Sequence, residues 1–289
     1  MAAYSGNNGK EYFGRWIFIG PMVCLLAIGV VPFVYIIFQS FAVWIPGEGG
    51  FVRWGSVQGY KDALDYYRVV SLCKVFGRAF AVSSIDTAVA IVFSYILVRQ
   101  IGARFRMVIL ICLSLPFLTN EMTRAFSWKV VLGSHGLINQ ILSGVIPGVG
   151  PFDWFIYSEF GVIIALVATT LPLAIFPVVF TLAGIPNSVW LASQDLGGGA
   201  FVEITRIGFP LSRSAMLMAW ITTFTIAIGS SVEVRMLGGV GQISLGQIVA
   251  SLESANKLSG VFALTSMILF LFLIIAFFLY RVSSYYRRT

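Results

Sequence analysis

Of the 289 residues, 58% are apolar, 15% aromatic and only 11% charged, against roughly a quarter charged in an ordinary soluble domain. With a mean hydropathy of +0.90 and 25 Phe and 7 Trp, the solvent of this chain is mostly lipid, and a soluble globular protein is excluded. The net charge of +7 fits membrane topology and attraction to anionic lipid; it does not imply nucleic-acid binding. Cys24, Cys73 and Cys112 form no even-numbered framework, which excludes a disulfide scaffold. His135 is the single histidine and has no partner at ligand spacing, so no metal site is expected. No Ser/His/Asp motif and no G-x-x-x-x-G-K-[ST] loop is present, so no catalytic residue is expected and any ATP is handled by another chain.

A helix needs about 20 largely apolar residues to cross a bilayer, so the gaps between charges locate the spans. Arg15 to Glu48 leaves 32 uncharged residues, Arg213 to Glu233 leaves 19 and Lys257 to Arg281 leaves 23. The first span is placed near 16–43; it is too long for the apolar region of a signal peptide and no small-residue cleavage site follows it. The polar stretch Pro46–Lys74 then contains one helical pattern, Val57–Val69, with Tyr60, Leu64, Tyr67 and Arg68 on one face. The stretch from Arg78 to Arg99, broken only by Asp86, gives a second span near 77–98, and a third is expected near 107–131, meeting Glu121 and Arg124 towards its far end.

The Gly- and Pro-rich segment Gly133–Phe152 should be turns around a short helix at Leu137–Leu142. The fourth span, near 160–184, carries Pro172 and Pro177, which are expected to kink it. The loop 186–209 is itself helical in pattern: Asn187 can cap a helix with Val189, Leu191, Ala192 and Leu196 on an apolar side, stopped by Gly197-Gly198-Gly199. A second short helix, Ala200–Ile207, leads to Pro210, which opens the fifth span near 208–231. Leu237-Gly238-Gly239-Val240-Gly241 precedes a short helix at Leu245–Leu252, and the sixth span lies near 260–281. The expected fold is an all-α membrane protein, 1–289 as a single transmembrane domain of six helices.

With an even number of spans both termini fall on one side. That side collects ten basic residues against three acids, including the compact Arg99/Arg104/Arg106 loop and the Arg281/Arg287/Arg288 tail, whereas the other side carries nine of each. The positive-inside rule therefore places both termini in the cytoplasm.

Ionisable residues inside spans are costly and are functional candidates. Asp86 either lines a solute path or hydrogen-bonds Ser83, Ser84 or a neighbouring helix. Glu121 and Arg124 lie at i and i+3 on one helical face and are expected to pair with each other. Glu233 and Arg235 sit where the fifth span leaves the membrane, as an interfacial gate or a solvated end. Trp16, Trp44, Trp128, Trp190 and Tyr280 fall near span ends, where a headgroup belt accounts for them. Trp220 and Tyr95 lie deeper and either stack on a solute or pack helices. The candidate translocation path is thus Asp86, Glu121, Arg124, Trp128, Trp220, Glu233 and Arg235.

An amphipathic helix in loop 186–209 must lie on a headgroup layer or a protein groove. Here the sequence resembles the permease subunits of bacterial binding-protein-dependent ABC importers. Their cytoplasmic signature is Glu-Ala-Ala, three residues, Gly, nine residues, then Ile-x-Leu-Pro. In this chain Leu191-Ala192-Ser193 is followed at that spacing by Gly197 and then by Ile207, Gly208, Phe209 and Pro210. Within the superfamily the chain most resembles the spermidine/putrescine-type permeases, through Leu115-Pro116-Phe117, Arg124 with Trp128, Gly136-Leu137-Ile138-Asn139, Asp195-Leu196-Gly197, Pro210-Leu211-Ser212 and Leu237-Gly238-Gly239. The resemblance implies the type I importer permease fold, a bacterial inner-membrane location and no bond chemistry on this chain. It also implies a second permease subunit, two ATPase subunits that carry the ATP and magnesium, and a periplasmic solute-binding protein.

The residues implied in coupling to the ATPase are Leu191, Ala192, Ser193, Asp195, Gly197, Glu203, Ile207 and Pro210. The usual Glu is replaced by Leu191, and Asp195 or Glu203 could supply its ion pair. Polyamine-type relatives are expected to carry an acid near 230 and a proline at 234, where this chain has Ser230 and Val234 with Glu233 and Arg235 displaced nearby. The implied solute is small and polar: a polyamine, or a related compound such as an opine or phosphonate. An ion-gradient-driven secondary transporter is the rival reading, for which Asp86 and Glu121 would be the coupling sites.

Overall fold

The computed structural model describes residues 8–45, 50–146 and 152–286. In chain order its elements are α1 (Asn8–Gln39), β1 (Ala42–Ile45), β2 (Gly50–Trp54), α2 (Gln58–Ala63), α3 (Tyr66–Arg99), α4 (Ala103–Ser114), a 3₁₀ turn Leu115–Leu118, α5 (Glu121–Leu132) and α6 (Leu137–Val145). A 3₁₀ turn Asp153–Phe155, α7 (Glu159–Ala183), α8 (Asn187–Asp195), α9 (Ala200–Val202), a π segment Glu203–Gly208, α10 (Phe209–Gly229), α11 (Val232–Leu237), α12 (Leu245–Ser254) and α13 (Leu258–Tyr286) complete the order. Among the described residues, five stretches are long and apolar enough to cross a membrane: Gly20–Gln39, Tyr66–Arg99, Glu159–Ala183, Ala200–Gly229 and Leu258–Ile275. A sixth is reached if the bent pair Ala103–Leu118 and Glu121–Val145 counts as one broken span.

The expected third span, 107–131, is therefore not one straight helix: it breaks after Leu118 and turns by 104°. Pro116 removes a backbone donor inside the 3₁₀ turn. Asn120 then starts a new helix, its side-chain oxygen accepting from the Met122 N–H at 2.8 Å. The expected helix Val57–Val69 is likewise divided, into α2 and the first turn of a much longer α3. The first helix ends at Gln39, short of the expected 43, and a two-stranded antiparallel pair, β1 with β2, takes Ala42 and Val43 from the expected span together with residues given no secondary structure. The fourth span, α7, runs unbroken through Pro172 and Pro177, and Ser158 caps it by accepting from the Gly161 N–H at 3.1 Å.

Two compact units divide the chain: residues 1–66 with 249–280, and residues 67–248 with 281–289. In the first, Ser40 and Tyr60 hydroxyls hydrogen-bond at 2.9 Å, the Lys257 ammonium donates to Asp62 at 2.7 Å, and Gly59 lies against the Ser259 backbone where a Cβ would clash. The side chains of Trp16, Trp44 and Tyr280, and the backbone of Pro147, Gly148, Gly150 and Pro151, lie outside the described residues. In the second unit, α3 and α7 run in the same direction, joined in sequence by Arg78 with Glu159, Asp86 with Thr170, and Ser94 with the Ile175 carbonyl. The fifth-span helix α10 runs opposite to α3, so Trp220 reaches Ser84 while Phe224 reaches Phe76. At the far end the buried cluster includes Tyr95, Leu97, Ile175, Leu182 and Trp190. Burying such side chains contributes about 1.5–3 kcal/mol each where water is the alternative; inside lipid, close packing and interhelical hydrogen bonds hold the spans.

Candidate functional site

The loop helix α8 begins at Asn187 with Pro186 in the capping position, so Asn187 is the first helical residue and not the cap expected from the sequence. A proline is suited to a helix start because its missing N–H is not needed there. The far end is closed as expected by glycine. Gly197 has φ +76, its N–H donates to the Gln194 carbonyl at 2.9 Å, and the Gly198 N–H donates to the Ser193 carbonyl at 2.8 Å. This is the Schellman arrangement, which needs a left-handed residue where only glycine is unstrained.

One face of α8 differs from the expected pattern. Trp190, assigned by sequence to a headgroup belt, is 1% exposed and belongs to the core. Leu191, Ala192, Asp195 and Gly197 are exposed, Ser193 is half-buried, and Leu196 is 89% exposed. The apolar side of Val189, Leu191, Ala192 and Leu196, expected to lie on a headgroup layer or a protein groove, is left open by the chain itself, together with Phe201. After α9 the backbone widens into the π segment Glu203–Gly208 and continues into α10 without a break. Pro210 does not start a separate helix. Its ring would crowd a carbonyl in the preceding turn of a regular helix, and the π segment lies in that turn. Ile207 and Pro210 are half-buried.

Glu203, expected to face a partner, instead turns inward and is 2% exposed. The Tyr95 hydroxyl donates to its Oε2 at 2.6 Å, and the Arg99 Nε lies 3.4 Å from the same atom. Tyr95 packs edge-on against the Trp190 ring, with centroids 6.1 Å apart, and the Arg99 guanidinium sits 5.2 Å over that ring. Three segments, α8, the π segment and the end of α3, therefore meet in one buried network.

A second polar cluster lies at the break of the third span. The Arg124 guanidinium donates to the Pro116 carbonyl at 3.1 Å and approaches the Glu233 carboxylate at 3.8 Å. The expected Glu121–Arg124 pair is thus replaced by Arg124 with Glu233, because α11 packs against α5 and brings Glu233 under it. Glu233 is 1% exposed, whereas Arg235 points out to the exposed side and Trp128 is half-buried. Burial pushes the Glu233 carboxyl up to about 7, and the neighbouring Glu121 carboxyl acts in the same direction while Arg124 opposes both. A carboxyl with a raised folded pKa contributes stability that is full below its ordinary value of 4.5 and is lost as pH rises through the folded value. The thermal midpoint of the purified protein is therefore expected to fall from about pH 5 to about pH 8, and that of Glu233→Gln to fall less over the same range. A wild-type midpoint that rises over that range would contradict the assignment.

Asp86 is fully buried, and the Thr170 hydroxyl of α7 donates to its Oδ2 at 2.5 Å. This is the neighbouring-helix partner named among the sequence alternatives; Ser83 donates to the Phe80 carbonyl instead. Asn accepts the same hydrogen bond without a buried charge, so Asp86→Asn is expected to leave the solute KM unchanged. A KM shift of tenfold or more would place Asp86 on the solute path. Trp220 stacks on Phe224 at 4.8 Å, meets Phe80 edge-on at 5.6 Å and donates through Nε1 to Ser84 at 3.3 Å.

Sequence reasoning used Arg78 only to mark the start of a span. It is buried, pairs with Glu159 through Nε and Nη2, and donates through Nη2 to Gln242 at 3.1 Å. The signal was available: an arginine within an apolar helix, with an acid in the first turn of a later one, is a pair in waiting. Among the described residues no group of three or more His, Cys, Asp or Glu is arranged to hold a metal.

No family model matches the chain. The spermidine/putrescine transport system permease protein PotB of Haemophilus influenzae is 26% identical over 181 residues, covering 62% of this chain and 63% of that protein. The inner membrane ABC transporter permease protein YdcU of Escherichia coli is 24% identical over 195 residues, covering 64% of this chain and 62% of that protein. A probable sulfate transport system permease of Prototheca wickerhamii is 24% identical over 179 residues, 60% of this chain and 67% of that one. The matched stretch thus spans less than two thirds of the length of PotB and YdcU. The fold extends further: a bacterial ABC transporter that imports the acidic polysaccharide alginate superposes with a TM-score of 0.72 over 95% of this chain and 96% of that one, at 12% identity. The same kind of transporter in complex with an alginate pentasaccharide-bound periplasmic protein gives 0.69. In sequence this multi-pass membrane chain is a relative of ABC transporter permease proteins, not of enzymes, and it has the fold of an ABC importer permease.

Proposed function

We propose that the chain is the membrane-spanning subunit of an ATP-driven importer, located in a bacterial inner membrane, with both termini cytoplasmic. It forms one translocation pathway with a second permease chain, two ATPase subunits seat below on the loop helix, and a periplasmic binding protein delivers the solute. ATP and magnesium are held by the ATPase subunits. The observation that carries this reading is α8: a rigid helix fixed inward by Trp190 and closed by Gly197, with Leu191, Ala192, Asp195 and Leu196 left open. An exposed apolar edge beside an acid suits a protein groove better than it suits lipid alone.

The solute is a small polar compound, for which the PotB relatives favour a polyamine. The acid pair Glu121 and Glu233 against the single Arg124 supports a cationic solute near the broken span. Reconstitution into liposomes tests the proposal. Uptake that requires the ATPase, ATP and the binding protein is the expected result; uptake by the chain alone under an ion gradient would replace it with the secondary-transporter reading.

A further inference from the structure

In the importer described above, the loop helix would pass a push from the ATPase into the fifth span, to which it is covalently joined through α9 and the π segment. The buried network around Glu203 gives it a second exit. Trp190 on the loop helix lies edge-on against Tyr95 and beneath the Arg99 guanidinium, both on α3. Glu203, at the first position of the π segment, accepts the Tyr95 hydroxyl at 2.6 Å. Nothing in the chain's covalent order requires this junction: residues 95 and 203 are 108 positions apart.

We propose that the Tyr95–Glu203 hydrogen bond, backed by Trp190, is a positioning latch that carries displacement of the loop helix into α3 as well as α10. The physical reasons are burial and stiffness. A carboxylate that is 2% exposed is shielded from water, and Arg99 reaches the same oxygen only at 3.4 Å, so the short Tyr95 bond is held through a motion rather than exchanged. The π segment, by contrast, is a wider turn of the kind at which helices kink, which makes it the compliant place in the fifth span. A push entering only through a compliant joint is partly absorbed there. The latch spans that joint and ties its first residue to a second, regular helix, so α3 and α10 move as one body. Tyr95 and Glu203 are thus positioning residues: neither touches nucleotide or solute, and neither is exposed to a docked partner.

This inference rests on the importer reading, and the test separates the two. The full complex is purified with wild-type chain, Tyr95→Phe or Glu203→Gln, and the double variant, at equal ATPase-subunit occupancy. Wild type must show ATP hydrolysis stimulated by solute-loaded binding protein; its absence is a failure of the importer reading, not of the latch. With stimulation present, Tyr95→Phe is expected to keep the basal rate and assembly while cutting the stimulated-to-basal ratio and the transport kcat at least fivefold, with the KM for loaded binding protein unchanged. Glu203→Gln, which still accepts from Tyr95, is expected to lose less. The double variant should be no worse than Tyr95→Phe alone, since Glu203→Gln weakens the same hydrogen bond that Tyr95→Phe removes. Unchanged ratios in the single variants, or losses that multiply in the double, overturn the latch. If Tyr95→Phe does not assemble, Glu203→Gln and Arg99→Lys are read in the same way.

Discussion

Gly197→Pro is expected to abolish solute-stimulated ATP hydrolysis and uptake by the assembled transporter while the spans remain inserted. Gly197 sits at φ +76, a region costing a non-glycine residue about 1–3 kcal/mol and one that the proline ring, fixed near φ −65, cannot enter. Proline also removes the N–H that donates to the Gln194 carbonyl at the end of α8. The helix end must therefore unwind, and the exposed edge of Leu191, Ala192, Asp195 and Leu196 loses its shape. Asp195→Arg, which reverses the exposed charge of that edge without touching the backbone, should reduce stimulation by at least tenfold, measured as ATP turnover with and without loaded binding protein. Normal stimulation in both variants would remove α8 as the docking element.

Arg78→Ala carries the second large expected effect, this time on stability. Arg78 joins the early part of α3 to the first turn of α7 through Glu159 and to the segment before α12 through Gln242. Removing one member of a buried pair costs about 3–5 kcal/mol, and with Glu159 38% exposed the low end, about 3 kcal/mol, applies. The detergent thermal midpoint should drop clearly, and Arg78→Lys should recover only part of the loss, because a single ammonium cannot reproduce the planar fork that meets both Glu159 oxygens. A midpoint unchanged in Arg78→Ala would show that the junction contributes nothing.

The spans were legible in the sequence because lipid imposes one rule on every residue it meets. Charge-free gaps gave α7 and α10 nearly to the residue, Glu159–Ala183 and Phe209–Gly229 against 160–184 and 208–231. The same rule misplaced the third span, since hydropathy averages over Pro116 and Asn120 and cannot register the bend between them. Partners of charged residues were less legible still. Glu121 and Arg124 have the spacing of a helical pair, yet Arg124 lies in reach of Glu233 from a segment over a hundred residues away, because tertiary packing outweighs an i,i+3 contact worth a few tenths of a kcal/mol. For the loop, the Gly197 stop was readable from turn chemistry. The inward rotation of Trp190 and Glu203 was not, since one short helix offers too few turns for its pattern to say which face is covered.

Gentle detergent extraction of the tagged chain from its own membrane, followed by native mass spectrometry of what accompanies it, tests the importer assignment most directly. The expected mass is that of this chain with one further permease chain and two copies of an ATPase subunit, the ATPases being lost on Gly197→Pro. A lone chain or homo-oligomer that takes up solute under an ion gradient would contradict the assignment.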